Sequence, residues 1–200
     1  MSPQKSNRQQ LLEGTLRCLE RLPPEHITAR VIADESNANL ASIGYHFGSK
    51  DDLLTEAVIL GLDQWLEEIE SEMGDVGMTG AARRFQSATQ VMERTRDRHL
   101  GLAKNFVSAL ARAQHDERVR ALLADGFRRT RPNLAQLLDL GSDDTGDDAA
   151  GLVLALFYGL LLQVLVDPEL SIDGRRMDAA QARLGAVLPK ARSTRQRGAR

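Results

Sequence analysis

The stretch TARVIADESNANLASIGYHFGSKDDLL, residues 28–54, limits the possible folds more than any other part of the chain. Thr28 is a favourable N-cap for a helix. Asn37 follows where the chain must turn, and asparagine is among the few residues besides glycine that tolerate a positive φ. A second short helix is predicted over residues 39–47, before a glycine and a serine interrupt the chain. Two short helices joined by a tight turn predict a helix-turn-helix motif.

A longer helix is expected directly after this motif. Ser49 and Asp52 form the S-x-x-D variant of a capping box, which marks a helix start. The apolar periodicity that follows predicts that this helix continues to about Met73. Lys50 lies in its first turn, where free backbone N–H groups favour an anion such as a phosphate.

The remaining sequence has helical rather than strand periodicity. The first helix carries apolar residues at i, i+4 and i+7 and is expected to end before Pro23. Aromatic residues make up only 4% of the chain, and no segment alternates with a period of two. The sequence therefore predicts an all-α fold of about nine helices, with Pro132 kinking or splitting one of them. The later helices are expected at about 79–98, 100–114, 117–140, 147–166 and 175–188.

The distribution of charge does not by itself indicate a nucleic-acid-binding protein. The net charge is -2, and residues 56–189 carry 15 Lys/Arg against 21 Asp/Glu. Residues 190–200 carry 5 Lys/Arg and no acid. We expect the basic tail, residues 189–200, to be solvated and disordered, although such tails also contact DNA or RNA.

The apolar run AAGLVLALFYGLLLQVLV, residues 149–166, approaches the length that spans a membrane. Gln163 interrupts the run, acidic residues flank both ends, and no Lys or Arg anchors it. These features favour a helix buried by partner helices in a protein without a membrane segment. The polar N-terminus does not resemble a secretory signal, and a single cysteine excludes an intrachain disulfide. We therefore expect a cytoplasmic protein.

Catalytic and metal-binding patterns are weak in this sequence. The four histidines are not paired with another His or Cys at ligand spacing, and the sequence has no nucleophile elbow or glycine-rich phosphate loop. Cys18 falls on the apolar stripe of the first helix, which favours a core residue over a reactive thiol. The acidic segment DDTGDD could supply oxygen ligands, but it lacks the calcium-loop pattern. The sequence therefore predicts neither an enzyme nor a bound metal or cofactor.

Polar side chains on the second short helix of the motif are the strongest candidates for a function. Asn39, Ser42 and His46 share its outer face, and Tyr45 lies beside them. Short hydrogen-bonding side chains can reach base edges, whereas a hydroxyl, an imidazole and an ammonium near the helix end suit phosphates. Tyr45 could instead close the core of the motif together with Phe47. The predicted DNA-contacting residues are Thr28, Arg30, Asn39, Ser42, Tyr45, His46 and Lys50.

Residues 28–54 resemble the N-terminal signature of the TetR family of bacterial transcriptional regulators. The pattern T-x-x-x-I-A, followed by Y-H-F-x-S-K-x-x-L, carries the resemblance. The matching residues are Thr28, Ile32, Ala33, Tyr45, His46, Phe47, Ser49, Lys50 and Leu53. Two residues depart from the usual motif. Asn37 replaces the usual turn glycine, and Gly44 is unusual inside a recognition helix, where glycine costs about 1 kcal/mol relative to alanine.

The resemblance implies a homodimeric regulator, most often a repressor, that binds double-stranded operator DNA of pseudo-palindromic sequence. It implies a DNA-binding domain at residues 6–55 and a ligand-binding and dimerisation domain at residues 56–188. The helices near 149–166 and 175–188 would form the dimer interface, and a pocket between the fourth and eighth helices would bind a small, largely apolar effector. The alternative is a helical ligand-binding or scaffold protein whose DNA-binding head is vestigial. Four bulky residues are candidates for the pocket, although each could equally be plain core: Trp65, Phe106, Phe127 and Phe157.

Overall fold

The computed structural model describes residues 6–74 and 80–187, and within these ranges the chain is helical, without strands. Three short 3-10 helices, Pro24–His26, Arg96–His99 and Pro168–Leu170, connect longer elements. The predicted basic tail at 189–200 lies outside the described residues. The α-helices are α1 (Asn7–Arg21), α2 (Ala29–Glu35), α3 (Ala41–Phe47), α4 (Lys50–Met73), α5 (Ala81–Thr95), α6 (Leu100–Arg112), α7 (Glu117–Leu137), α8 (Asp144–Val166) and α9 (Gly174–Val187).

The first three helices pack around a small apolar core. Phe47, at the end of α3, is fully buried against the apolar stripe of α1 and against Ile32 of α2. The Thr28 hydroxyl accepts the backbone N–H of Val31 at 3.2 Å and so caps α2. Asn37 adopts a φ of 48°, as expected of the residue that makes the turn. The predicted helix-turn-helix is therefore present.

An ion-pair cluster on the outer surface fixes α2 against α1. Arg17 donates to the Glu35 carboxylate at 2.6 Å and also to the Glu35 backbone carbonyl at 2.8 Å. Arg21 contacts the other carboxylate oxygen. The side-chain hydrogen bond from Arg17 is the main reason that the pKa of Glu35 lies below its ordinary value.

The long helix α4 connects the DNA-binding motif to the rest of the chain. The Ser49 hydroxyl accepts the backbone N–H of Asp52 at 3.0 Å, as the capping-box pattern predicts. Helix α4 packs on α1 and α3 of the motif and on α5, α6 and α7 of the rest of the chain. The apolar residues near its start belong to one buried cluster, whereas Trp65 and Ile69 belong to a second. One continuous helix thus passes through both cores.

Two helix starts differ from the prediction because side chains cap them at other positions. The Asp143 carboxylate accepts the backbone N–H of Gly146 at 2.9 Å, so α8 begins at Asp144, three residues earlier than expected. The Asn39 side chain accepts the backbone N–H of Ala41 at 2.9 Å, so Asn39 precedes α3 instead of lying inside it.

Of the two expected effects of Pro132, a kink or a split, the split does not occur, because α7 continues from Glu117 to Leu137. A proline inside a helix leaves the carbonyl four residues earlier without its donor. Here that carbonyl belongs to Arg128, and both residues are exposed. Water can therefore satisfy the free carbonyl, which explains why the helix persists.

Helix α8 is less buried than the sequence suggested. It is long and apolar enough to cross a membrane by length and composition, but only 22% of its apolar 18-residue window is buried within the chain. One side packs along α7. The other side exposes large apolar residues, among them Leu152 at 75% and Val166 at 83%. The other helices of this single chain therefore leave most of this apolar window uncovered.

Candidate DNA-binding face and ligand cavity

The outward face of α3 carries mainly small residues and one large aromatic side chain. Tyr45 is 84% exposed, so the alternative in which it closes the core of the motif is wrong. Ala41 and Gly44 lie on the same exposed face, and a Cβ built on Gly44 would have no heavy atom within 4 Å. A helix with such a face can approach a groove closely without rearrangement of its own side chains.

The other predicted contacts on α3 are only partly available. Ser42 and His46 are half-buried and lie to one side of the exposed face that carries Tyr45. The His46 ring packs edge-on against Tyr45, with 4.9 Å between the ring centroids. Asn39 is exposed, but its carboxamide oxygen already accepts the Ala41 N–H. Its amide nitrogen is therefore the group left to donate to a base acceptor.

Lys50 lies next to the start of α2 rather than in open solvent. Its ammonium is 3.4 Å from the carbonyl oxygen of Ile27, the residue before Thr28, and 3.6 Å from a carboxylate oxygen of Asp51. The structure therefore brings Lys50 and Thr28 together at one corner of the motif. Arg30 is exposed on the first turn of α2. This corner presents two basic groups and the N-terminus of α2.

Two arginines from the second half of the chain hold the motif in place. Arg118, in the first turn of α7, donates to the Phe47 carbonyl at the end of α3 at 2.8 Å and lies 3.5 Å from the Asp52 carboxylate. Arg112, at the end of α6, donates to the Thr55 hydroxyl at 2.8 Å. No local sequence pattern indicates either residue, because each acts across more than fifty positions of the chain.

An apolar cavity of about 70 Å³ lies between α4, α5, α7 and α8. Trp65 and Phe157, two of the bulky residues singled out from the sequence, are among its lining residues. Trp65 is fixed from outside the cavity, because its indole N–H donates to the Thr95 hydroxyl at 2.7 Å and its ring stacks on His99. The complete lining is Leu62, Trp65, Leu66, Ile69, Ala88, Met92, Thr130, Leu134, Leu137, Leu154, Phe157, Tyr158 and Leu161.

A side chamber of about 20 Å³ shares Leu62, Thr130 and Tyr158 with this cavity. It contains the other two bulky candidates, Phe106 and Phe127. Burial raises the pKa of the Tyr158 phenol to about 12. The chamber is therefore an aromatic extension of the larger apolar space.

The chamber also contains one carboxylate, that of Asp63. Burial raises the pKa of this group above its ordinary value, and the nearby Arg129 offsets the rise only in part.

The part of the chain that the structure describes shows no arrangement suited to metal binding. Within residues 6–74 and 80–187 there is no group of three or more His, Cys, Asp or Glu side chains placed to hold a metal ion. Cys18 is buried in the first core, and this burial raises the pKa of its thiol. A buried thiol with a raised pKa is a poor nucleophile.

Comparisons with known proteins agree with this architecture. Residues 81–189 match the family described as BetI-type transcriptional repressor, C-terminal. A search of curated protein sequences found no match. Among solved structures, a TetR transcription regulator from Haloarcula marismortui is 18% identical with a TM-score of 0.60, covering 90% of this chain and 95% of its own.

Two further solved structures share the fold over most of their length. A transcriptional regulator from Rhodococcus sp. RHA1 is 17% identical with a TM-score of 0.69, covering 92% of this chain and 97% of its own. A regulator from Saccharomonospora viridis, solved in complex with choline, is 24% identical with a TM-score of 0.60, covering 87% and 93%. The family match extends over more than half of this chain. The chain therefore belongs to the TetR family of DNA-binding, ligand-responsive transcriptional regulators, and its C-terminal domain is of the BetI type.

Proposed function

We propose that two copies of the chain bind a pseudo-palindromic operator, with one α3 helix in each of two successive major grooves, and that a small ligand in the cavity releases them. The observation that carries this proposal is the free outward face of α3, from which Tyr45 projects with 84% exposure. A regulator that acts on DNA belongs in the cytoplasm. Residues 6–55 would supply the DNA-binding domain and residues 56–188 the dimerisation and ligand-binding domain.

The roles of the individual contacts follow from their positions. Phosphates flank the groove near the end of α3 and just beyond it, which is where Tyr45, His46 and Lys50 lie. The start of α2 carries Thr28 and Arg30. Asn39 lies just before α3 and Ser42 in its first turn, where the residues of a recognition helix meet base edges. Phosphate contacts position the protein, whereas contacts to base edges determine which sequence is bound.

The proposed dimer interface is the exposed side of α8 together with α9. Leu152, Leu162 and Val166 are large, apolar and exposed on α8, and Leu184 and Val187 are exposed on α9. Several large apolar side chains exposed on the same helices are a feature of protein contact surfaces. In a two-fold dimer this surface packs against the identical surface of the second chain. The recognition helices of the two chains would then lie about 34–36 Å apart.

The cavity is the proposed effector site. Its lining is apolar apart from Thr130 and Tyr158, which suits a small ligand that is mainly apolar with one polar group. The Saccharomonospora viridis regulator of the same fold was solved with choline, a molecule of this size class. A ligand releases the DNA only to the extent that it binds the released conformation more tightly than the DNA-bound one.

The proposal predicts different effects for the two classes of DNA contact. We expect Lys50→Ala to weaken binding to every duplex alike and to flatten the log–log dependence of affinity on salt by about 0.9, the value for one lost phosphate contact. Asn39→Ala should instead change which sequences are preferred and leave the salt slope unchanged. Fluorescence anisotropy with labelled duplexes at several salt concentrations measures both quantities.

Ser87→Ala on α5, remote from α3, provides the control and should alter neither quantity. An unchanged salt slope for Lys50→Ala would contradict the phosphate role of this residue. In that case the contacts of its ammonium with Ile27 and Asp51 would be purely structural.

A further inference from the structure

Trp65 contacts both the effector cavity and a histidine that lies outside it. Its ring lines the cavity and also stacks on the ring of His99, with 4.7 Å between the centroids and 29° between the planes. The indole N–H donates to the Thr95 hydroxyl at 2.7 Å, and this hydroxyl donates to the Val91 carbonyl at 2.9 Å. Helix α5 therefore holds the edge of the indole, and His99 holds its face.

The His99 ring has one paired and one unpaired nitrogen. Its Nε2 lies 2.9 Å from a carboxylate oxygen of Glu68. Because a carboxylate only accepts hydrogen bonds, the neutral imidazole carries its proton on Nε2 and a lone pair on Nδ1. Nδ1 is buried and has no hydrogen-bond partner among the residues that the structure describes. The stacked arrangement thus provides an acceptor for one ring proton and none for a second.

A second proton on this ring would have to occupy Nδ1. It would create a buried, charged donor without an acceptor, which is a costly arrangement in a protein interior. His99 is also the N-cap of α6, where the positive end of the helix dipole disfavours a cation. The new N–H can reach water only if the ring turns, and this movement disrupts the stack on Trp65.

Two interactions oppose this movement, since the Glu68 carboxylate and the face of Trp65 both attract a protonated ring. The attraction of Glu68 is shared, because this carboxylate also accepts a hydrogen bond from Arg98. A cleft between α1, α4 and α6 gives solvent access to the pair, and both His99 and Glu68 line it. The charged groups around the pair are Glu20 of α1, Glu68 and Glu72 of α4, Arg94 of α5, and Arg96, Asp97 and Arg98 of the 3-10 helix that contains His99.

We propose that protonation of His99 releases Trp65 and so weakens ligand binding in the effector cavity, which makes the response of the regulator depend on pH. This proposal rests on the proposed effector role of the cavity and adds the proton as a second signal. Histidine is the side chain that ordinarily changes its charge between about pH 5 and 8. By linkage, a ligand that needs the stacked Trp65 also favours the neutral form of His99.

The fluorescence of Trp65 provides the first test, because it is the only tryptophan in the chain. The residue is 6% exposed, and a buried indole emits at shorter wavelength than a hydrated one. On acidification from about pH 8 to about pH 5, the emission of the full-length protein should shift reversibly to longer wavelength. His99→Gln keeps an N–H for Glu68 but cannot gain a charge, and its emission should not shift.

A matched control removes a histidine that does not contact Trp65. His115 is exposed in the turn between α6 and α7. The emission of His115→Gln should shift as that of the unmodified protein does. Cooperative thermal unfolding of each variant at both pH values shows that it is folded.

The second test measures ligand affinity with 2-phenylethanol, which is uncharged at both pH values. Calorimetric titration should give an affinity at least about fivefold weaker at the lower pH, the smaller part of the cost of one unsatisfied buried donor. In His99→Gln the two affinities should be equal. Asp63→Asn removes the other titratable group near the cavity, a carboxylate whose pKa is raised by burial, and should retain the fivefold difference.

Several results would overturn the proposal. An emission maximum that stays constant would do so, as would a shift of equal size in His99→Gln or equal affinity for 2-phenylethanol at the two pH values. Quenching without a shift would show that the protonated ring stays stacked on Trp65, which also contradicts the proposal. If both tests succeeded but 2-phenylethanol left operator binding unchanged, the proton-linked cavity wall would stand and the proposed regulatory role of the cavity would fail.

Discussion

Leu162→Arg is expected to convert the dimer into a monomer and to lower operator affinity by at least about 100-fold, although Leu162 lies far from α3 in the chain. The side chain is 42% exposed on the apolar side of α8. In a symmetric dimer the substitution acts on both copies, and each buries a charge without a partner, which costs several kcal/mol. A monomer binds only one half-site. It also lacks the second DNA-binding domain, which in the dimer is kept at a high effective concentration near the other half-site.

Light scattering and fluorescence anisotropy measure these two effects on the same samples. Val107→Arg supplies a matched control, because Val107 is an apolar residue of similar exposure, 37%, on α6, outside the proposed interface. The control should remain dimeric and keep its affinity for DNA. An unmodified protein that is a well-folded monomer at micromolar concentration would contradict the proposed interface.

Arg118→Ala is expected to lower operator affinity by about 10- to 30-fold and to weaken the response to ligand. Arg118 joins the start of α7 to the end of α3 through the Phe47 carbonyl and the Asp52 carboxylate. Hydrogen bonds to charged groups contribute about 1.5–3 kcal/mol, and the 55% exposure of the Arg118 side chain reduces this value. Further along the same helix, Thr130 and Leu134 line the effector cavity. Helix α7 thus contacts both the proposed ligand site and the recognition helix.

The readout that separates Arg118 from a direct DNA contact is the salt dependence. Because Arg118 already donates to the Phe47 carbonyl, we assign no phosphate contact to it. The salt slope of the Arg118→Ala variant should therefore equal that of the unmodified protein. The ratio of operator affinities with and without ligand, typically 5- to 150-fold in allosteric proteins, should move towards one. Arg120→Ala, which removes an exposed pair with Glu117 in the same helix, should change neither quantity. A slope reduced by about 0.9 would instead show that Arg118 contacts DNA.

Local sequence signals predicted most of the helical framework correctly. Thr28, Asn37 and Ser49 each determine the backbone within a few residues, so the helix-turn-helix and the start of α4 could be predicted from them. The role of α4 as a connection between the motif and the cavity could also be predicted, because Lys50 and Trp65 lie on one continuous helix.

Features that depend on distant parts of the chain could not be predicted from the sequence. Arg118 lies 71 residues from Phe47, and no local pattern relates the two. The composition of residues 149–166 predicts burial, but it does not distinguish burial within one chain from burial between two. Asp63 resembles any helical surface acid in the sequence, and its position beside Phe106, Phe127 and Tyr158 follows only from the packing of the folded chain.

The most direct test of the account is selection of binding sites from random duplex DNA by the full-length protein, followed by measurement of the mass of the complex. A two-fold dimer with one recognition helix in each of two major grooves should enrich a pseudo-palindrome. Its half-site centres should lie about one helical turn apart, about 34–36 Å or a multiple of this distance. The complex should contain an even number of chains per duplex. Enrichment of an asymmetric site bound by a single chain, or no enrichment above non-specific binding, would contradict the central claim that the free face of α3 reads DNA as part of a dimer.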